Sequence, residues 1–179
     1  MVNSAENNGL VTVTVPTIGK AKPAVRFFGT FSAKVATTNQ VTLPKAFKKA
    51  VEDGDEGHLI LLPHSSEAYW QLFTLTVFNQ KLEDISNSPK AKDKNMAKEV
   101  ARNLAKKAIP VETDSQGRFV LSREFTAKLG GESNEVVFES AHTHLRLWAQ
   151  GDYERAQEKL RELEQSEEFK ELTREVLDN

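Results

Sequence analysis

A weak internal repeat is the feature of this sequence that most restricts its possible folds. Residues 41–47 align with residues 119–125 at an offset of 78, with apolar residues opposite apolar ones and Lys45 opposite Arg123. Further along, the offset falls to 75, because one loop of the first copy has three extra residues. The other aligned pairs are Phe31 with Ile109, Ala33 with Val111, Val51 with Leu129, Leu72 with Leu147, Phe73 with Trp148, and Phe78 with Tyr153. This self-similarity predicts one folding unit that the chain uses twice.

Each copy predicts the same order of elements: a strand, a tight turn, a strand, a short helix, two strands and a longer helix. In the second copy the turn begins at Asp114, which can bond the turn backbone, and Gly117 can adopt the positive φ that such turns need. Ser122 predicts the N-cap of the short helix, which is expected to end at the glycine pair Gly130-Gly131. In the first copy, Pro44 suits the first turn of the equivalent helix, expected over residues 45–51.

The remaining elements follow from the spacing of apolar residues. Two hairpins are predicted, with strands at residues 58–62 and 68–73 and at residues 135–139 and 144–148. In the last strand, Leu145 and Leu147 alternate with His144, Arg146 and Trp148, the period of a sheet with one buried face. Apolar stripes predict helices over residues 95–108 and 152–177. Trp70, Phe73, Trp148 and Tyr153 are expected in the core or in subunit packing rather than as a surface for stacked bases. The fold class is therefore α+β.

The charges are balanced overall but separated along the chain. The 24 Lys and Arg residues against 26 Asp and Glu residues give a net charge of -2. Residues 7–51 contain no acid, and residues 90–107 hold seven bases against two acids. Residues 152–178 hold ten acids and five bases. This separation would let a near-neutral protein offer a positive face to a polyanion, although charged helices are more commonly just solvated.

Several classes of function are not expected. The absence of cysteine excludes disulfides and thiolate chemistry. No phosphate-binding glycine loop, dinucleotide fingerprint or nucleophile motif is present, so no enzyme, cofactor or small-molecule substrate is expected. His142 and His144 alternate on one strand, but no further ligand completes a metal site. The first twenty residues have no signal pattern and the longest aliphatic run ends at Pro63, so neither export nor membrane spanning is expected.

The repeated strand-turn-strand units resemble those of the MraZ family of bacterial regulators, whose fold duplicates the swapped hairpin of AbrB-like DNA-binding proteins. Phe28-Gly29 stands at the family's Phe-Gly opening, and the second copy carries the family's Asp-x-x-x-Arg signature as Asp114 and Arg118. The segments Val120-Leu121-Ser122-Arg123 and Leu145-Arg146-Leu147-Trp148 make the match more specific.

The first copy departs from this signature. Ala36, Asn39 and Gln40 stand where the family has Asp, Gly and Arg. Asn39 tolerates the left-handed turn conformation, so the first hairpin is still expected to form. It lacks, however, the arginine that would contact DNA in the family pattern and the aspartate that would orient that arginine.

The resemblance implies two AbrB/MraZ-like swapped-hairpin β-units in tandem, with short helices and a long C-terminal helix. The expected boundaries are an N-terminal extension at 1–26, a first repeat at 27–89, a connecting helix at 90–108, a second repeat at 109–153 and an acidic C-terminal helix at 154–179. The resemblance also implies a cytoplasmic, nucleoid-associated protein that forms a ring-like homo-oligomer. Such a protein would bind double-stranded DNA in the promoters of division and cell-wall genes.

Arg118 is the DNA-binding residue that this resemblance implies. A guanidinium can take a phosphate or a guanine edge with two hydrogen bonds, and Asp114 and Gly117 are expected to orient the turn that carries it. A plain ion pair between Asp114 and Arg118 is the structural alternative. Further phosphate contacts, which give affinity without sequence specificity, are expected from Lys34, Lys45, Lys48 and Arg123.

Two other functions are compatible with the same sequence. One is an oligomeric interaction or scaffold protein on the same fold, with an eroded DNA site and an acidic helix that recruits a protein partner. The other is an AbrB-like antitoxin that uses the C-terminal helix as a toxin-binding tail. An Arg118→Ala variant separates the DNA-binding function from the scaffold, because only DNA binding depends on that guanidinium.

Overall fold

The computed structural model describes residues 11–15, 24–129 and 134–177. The strands are β1 (Val11–Val15), β2 (Ala24–Phe28), β3 (Thr30–Lys34), β4 (Gln40–Thr42), β5 (His58–Pro63), β6 (Trp70–Thr74), β7 (Ile109–Glu112), β8 (Arg118–Val120), β9 (Glu135–Ser140) and β10 (Leu145–Ala149). The helices are α1 (Lys45–Asp55), α2 (Leu75–Ser86), α3 (Lys94–Lys107), α4 (Arg123–Thr126), α5 (Gln150–Glu164) and α6 (Glu167–Leu177). The predicted α+β class is thus confirmed. In these ranges no helix is both long and apolar enough to span a membrane.

The strands pair across the two halves of the sequence. Six of them form one antiparallel sheet in the order β3-β9-β10-β6-β5-β7, and β4 pairs with β8 in a separate two-stranded ribbon. In the ribbon Thr42 is opposite Arg118, and in the sheet Leu72 is opposite Leu145. β4 and β8 keep the offset of 78 residues, and β6 and β10 keep that of 75. Each half therefore supplies strands that pair with strands of the other half.

The largest hydrophobic cluster joins both halves beneath this sheet. Aromatic rings of the two halves meet directly, as in the edge-on pair of Trp70 and Phe125 with ring centroids 5.7 Å apart. The fully buried aromatic and leucine side chains of the cluster are Phe27, Phe47, Leu59, Leu61, Trp70, Leu72, Phe119, Leu121, Phe125, Phe138, Leu145 and Leu147. Burial of this many apolar side chains is the main stabilising contribution to the fold.

Helices cover the opposite face of the sheet as well. Ile60, Leu62 and Phe73 pack with Phe78 of α2, and α3 adds the half-buried Leu104. A second cluster of Tyr69, Val137 and Trp148 packs against Tyr153 and Ala156 of α5. The prediction that the strand at 144–148 has only one buried face was therefore wrong, because α5 buries Trp148 on the other face.

Side-chain caps account for where several helices begin. The carboxylate of Asp93 accepts the N–H of Asn95 at 2.8 Å before α3, and Ser122 Oγ accepts the N–H of Phe125 at 3.2 Å before α4. The cap at Ser122 agrees with the prediction, but α4 ends at Thr126 rather than Leu129. Its predicted glycine stop, Gly130-Gly131, lies outside the described residues.

The C-terminal region corrects the prediction of one long helix. α5 ends at Glu164 and α6 begins at Glu167, with Ser166 between them. The Ser166 hydroxyl donates to the carbonyl of Leu163 and accepts the N–H of Phe169, so it closes one helix and caps the next. A serine inside an otherwise helical pattern thus divides the segment in two.

α3 buries small residues rather than its large apolar ones. Met96, Val100 and Leu104 share one side of the helix at spacing four, yet Met96 is 63% and Val100 44% exposed. Ala97 and Ala101 are buried instead. Small side chains let α3 lie close to α2, and this rotates the larger ones toward solvent.

Candidate nucleic-acid interface

Two backbone hydrogen bonds close the turn between β7 and β8. The N–H of Asp114 donates to the carbonyl of Arg118 at 2.9 Å, and the N–H of Gly117 donates to the carbonyl of Asp114 at 2.8 Å. Gly117 has a φ of 76°, a region where an L side chain costs about 1–2 kcal/mol. The turn reverses the chain tightly and brings Arg118 back beside Asp114.

The carboxylate of Asp114 is engaged inside this turn. Its Oδ1 accepts the N–H groups of Gln116 and Arg118, each at 2.9 Å. Its Oδ2 accepts from Nε of Arg118 at 2.7 Å and lies 2.7 Å from Nη2 of the same residue. The backbone N–H of Arg118 does most to hold the pKa of the Asp114 carboxyl below its usual value, helped by the Arg118 guanidinium and the Gln116 N–H and opposed by desolvation. Asp114 is therefore ionised at neutral pH and fixes one edge of the guanidinium.

The other edge of the Arg118 guanidinium is uncommitted. Among the described residues Nη1 has no hydrogen-bond partner, and the side chain is 43% exposed. Val120 follows two positions later on the same face of β8 and is 53% exposed. This apolar neighbour was not among the predicted site residues, although the two-residue period of a strand would have placed it beside Arg118. The exposed surface of β8 thus combines a cation with an apolar side chain.

The turn of the first half has the same backbone but none of the charge. The N–H of Ala36 donates to the carbonyl of Gln40 at 2.8 Å, and the N–H of Asn39 donates to the carbonyl of Ala36 at 2.9 Å. Asn39 has a φ of 60°, the left-handed conformation expected for it. In place of an ion pair, the Thr38 hydroxyl donates to Oε1 of Gln40 at 3.3 Å.

Each turn lies against the start of a helix from the opposite half. The N–H of Leu43 donates to the carbonyl of Gly117 at 2.8 Å, and the N–H of Leu121 donates to the carbonyl of Asn39 at 2.9 Å. Lys45 begins α1 two residues after Leu43, so this exposed base belongs to the surroundings of the second turn. Arg123, which is also exposed, begins α4 beside the first turn.

The other two predicted phosphate contacts differ in their surroundings. Lys34 is exposed at the end of β3, opposite Glu135 in the strand pairing. Lys48, by contrast, is half-buried and donates from Nζ to the carbonyl of Ser115 at 2.9 Å. Its Nζ also lies 3.5 Å from Oε1 of Glu52, one turn along α1. The structure thus brings Lys45 and Lys48 to the second turn, whereas Lys34 and Arg123 belong to the first.

The two histidines considered for metal binding have separate surroundings. His142 is exposed in a left-handed turn with its ring against Phe28. His144 stacks on Phe73 with ring centroids 4.5 Å apart, and its Nε2 lies 3.2 Å from Nε2 of Gln71. In the part of the chain that the structure describes, no group of three His, Cys, Asp or Glu side chains could hold a metal ion.

Comparison with known proteins points to one family. The family model described as "MraZ protein, putative antitoxin-like" matches residues 104–176. The protein named transcriptional regulator MraZ from Cereibacter sphaeroides (strain ATCC 17029) is 25% identical over 142 residues, which cover 73% of this chain and 83% of that protein. The proteins of the same name from Mycobacterium ulcerans and Mycobacterium tuberculosis (strain H37Ra) are each 26% identical over 122 residues, or 68% of this chain and 80% of theirs. This chain is therefore similar to proteins of the MraZ family.

The MraZ match coincides with the half of the chain that holds the charged turn. It contains Asp114, Arg118 and Arg123 but none of the residues of the first turn. The stretch that the MraZ model matches is therefore also the one in which a guanidinium is held by a carboxylate at an exposed turn.

Proposed function

We propose that this chain is a transcriptional regulator of the MraZ type that binds double-stranded promoter DNA. The observation that carries the proposal is the Arg118 guanidinium, which Asp114 holds along one edge at an exposed turn. The relatives with which the chain aligns are named transcriptional regulators. The cross-pairing of β4 with β8, β3 with β9 and β7 with β5 further supports the duplicated swapped-hairpin arrangement that the MraZ resemblance implies.

The chemistry of the turn suits the major groove of DNA. A guanidinium has five N–H donors, and Asp114 engages those on Nε and one side of Nη2. The donors left on Nη1 and Nη2 can pair with O6 and N7 of a guanine, the commonest specific contact in DNA complexes. Val120 on the same strand face could contact a thymine methyl group. We therefore assign base recognition to Arg118, with Asp114 as the residue that orients it.

Phosphate contacts are assigned to the exposed bases around the turns. Lys34, Lys45 and Arg123 lie near the turns of the first or second half, and contacts to phosphate fix position and add affinity without reading sequence. One hairpin makes few contacts, so useful affinity requires several subunits on spaced repeats of the DNA. We accordingly propose that the protein forms a homo-oligomer, with the ring-like form that the MraZ resemblance implies, and that this oligomer binds promoters of division and cell-wall genes.

Apolar side chains left exposed by the single chain support an oligomer. Large clusters of such side chains are uncommon on monomers, and they mark interaction surfaces. Those on the helices are Met96 (63% exposed), Val100 (44%), Leu160 (38%), Leu163 (58%), Leu172 (56%), Val176 (77%) and Leu177 (75%). Sedimentation of the purified protein at micromolar concentration tests the assembly separately from DNA binding.

Selection from a library of random duplexes tests the DNA proposal whatever the target sequence is. We expect the wild-type protein at moderate salt to enrich a recurring sequence in spaced copies, and the Arg118→Ala variant to enrich none. Arg155→Ala is the matched control, because Arg155 is also an exposed arginine paired with a nearby aspartate, Asp152, but lies on α5. A wild-type protein that enriches no sequence would overturn the proposal.

The scaffold function has one specific observation in its favour. The first turn has lost both charged side chains of the family pattern, as Ala36 and Gln40 show. If the second turn has also lost its role, Arg118→Ala will leave partner capture and assembly unchanged, and no duplex will be preferred. Deletion of α6 would then abolish partner capture, a result that the DNA-binding proposal does not require.

A further inference from the structure

We propose that Lys48 is a positioning residue that holds the Asp114–Arg118 turn from the opposite half of the chain. Its role in DNA binding rests on the proposed function, whereas its role in the turn can be measured without DNA. Lys48 lies 67 positions before the residue it contacts, so no local pattern in the sequence indicates the link.

The contact between Lys48 and the turn has a polar part and an apolar part. The ammonium group donates to the carbonyl of Ser115 at 2.9 Å, in the middle of the turn. The hydrocarbon stem lies directly over Gly117, since a Cβ built on that glycine would stand 2.6 Å from Cδ of Lys48. Glu52 lies 3.5 Å from Nζ and favours the orientation of the ammonium group. The hydrocarbon stem of Lys48 therefore covers the turn, and its ammonium group holds the turn through a hydrogen bond.

The internal repeat provides a comparison within the same molecule. The position equivalent to Lys48 at the offset of 78 is Thr126, whose hydroxyl donates to the carbonyl of Arg123 within its own helix. The Thr126 hydroxyl is thus engaged away from the turn at Ala36, which has no arginine to present. Within the described residues, the cross-half lysine contact accompanies only the turn that holds a guanidinium. This asymmetry favours a role in presenting Arg118 over a general role in the fold.

Two possible roles of Lys48 predict different behaviour on DNA. A lysine that contacts phosphate contributes about 0.9 to the slope of log affinity against log salt concentration. A positioning lysine contributes to affinity through Arg118, so its removal lowers affinity while the salt slope keeps its value. Its effect should also disappear once Arg118 is absent, because residues that act as a unit are not additive.

Amide hydrogen exchange of the free protein is the decisive measurement. In Lys48→Met the stem remains over Gly117 but the donor is lost, and exchange of the Gly117 and Arg118 N–H groups should accelerate roughly fivefold, the equivalent of about 1 kcal/mol for one hydrogen bond. The Asn39 N–H in the first turn is the internal control and should not change. Lys49→Met, a neighbouring exposed lysine on α1, is the matched control variant, and Lys48→Arg should restore protection.

The second arm measures DNA affinity of the same variants over a range of salt concentrations. We expect Lys48→Met to weaken specific binding at an unchanged salt slope, with no further loss in the Arg118→Ala background. Unchanged exchange of the turn amides, or a salt slope reduced by about 0.9, would overturn the positioning role. If no duplex is preferred by the wild-type protein, the proposed function fails, and the exchange arm alone decides on Lys48.

Discussion

Gly117 has a φ of 76° and lies under the stem of Lys48, and both the backbone conformation and the close lysine disfavour a side chain at this position. We expect Gly117→Ala to lower the free energy of unfolding by about 1–3 kcal/mol, because an alanine must adopt the left-handed conformation and displace the lysine. Chemical denaturation measures this loss. Gly151→Ala, in α5, is the control: its Cβ meets nothing nearer than 3.7 Å, so stability should stay or rise by up to about 1 kcal/mol. Equal effects of the two substitutions would contradict the geometry of the turn.

At the scale of single residues, the sequence predicted those features that depend on a residue and its immediate neighbours in the chain. The conformations of Asn39 and Gly117 follow from residue type, and the cap at Ser122 from its place before a helix. The contact of Lys48 with Ser115 could not be predicted, since it depends on how two distant segments pack. Local chemistry thus indicated the shape of the turns but not what holds the second one from outside.

At the scale of elements, the sheet and the helices that cover it bury the imidazole of His144 and so change its pKa. Burial, and to a smaller extent the positive charges of Lys81 and Arg146, lower the pKa of His144 to about 4. In the unfolded chain its pKa is about 6.5, so the folded state disfavours the proton. The resulting stability is complete above pH 6.5 and is lost as the pH falls toward 4, by roughly 3 kcal/mol at most.

Replacement of His144 tests this pH dependence. Urea denaturation at pH 7, 5.5 and 4 should show that the wild-type protein loses more stability on acidification than His144→Gln, which has no proton to take up. The carboxylates that also titrate near pH 4 are common to both proteins, and their effects cancel in the comparison. Parallel losses in the two proteins would show that this imidazole does not have a lowered pKa in the folded state.

The positions of strands and helices with a regular spacing of apolar residues were predicted well. What packs against each of their faces was predicted less well. The strands β5, β6, β9 and β10 lie within one or two residues of their predicted positions. The burial of Trp148 agrees with its expected place in the core, whereas the exposure of Met96 was not predicted, because it depends on where α3 packs. A strand or helix pattern identifies an apolar face, but only the complete arrangement of elements determines what covers it.

At the scale of the whole molecule, the exchange of strands between halves makes them depend on each other. β3 pairs with β9, β7 with β5 and β4 with β8, so each half alone would leave strand edges and core side chains exposed. We expect fragments 1–89 and 90–179 to be largely unfolded when separate and to regain strand and helix signals on mixing. Circular dichroism of each fragment and of the mixture measures this. Independent folding of either fragment would contradict the mutual dependence.

The difference in charge between the two turns would also determine how an assembly of this chain binds DNA. The chain has one turn with a guanidinium held by a carboxylate and one turn without charge. An assembly would therefore present one specific contact per subunit, and its affinity for DNA would depend on how many subunits reach equivalent sites at once. Spacing of the sites, rather than length of a single site, is then the property of the DNA that selects the target.

Titration of one fluorescent duplex with three forms of the protein is the most direct test of base recognition by Arg118. The duplex carries the spaced repeat recovered by selection, and the proteins are wild type, Arg118→Ala and Arg155→Ala, compared with a scrambled duplex at the same moderate salt. For each subunit bound to the repeat, we expect Arg118→Ala to lose roughly 5- to 150-fold in affinity, about 1–3 kcal/mol per lost base contact. The variant should no longer prefer the repeat to the scrambled duplex, while Arg155→Ala binds as the wild type does. Equal preference for the repeat by wild type and Arg118→Ala would contradict base recognition by this guanidinium.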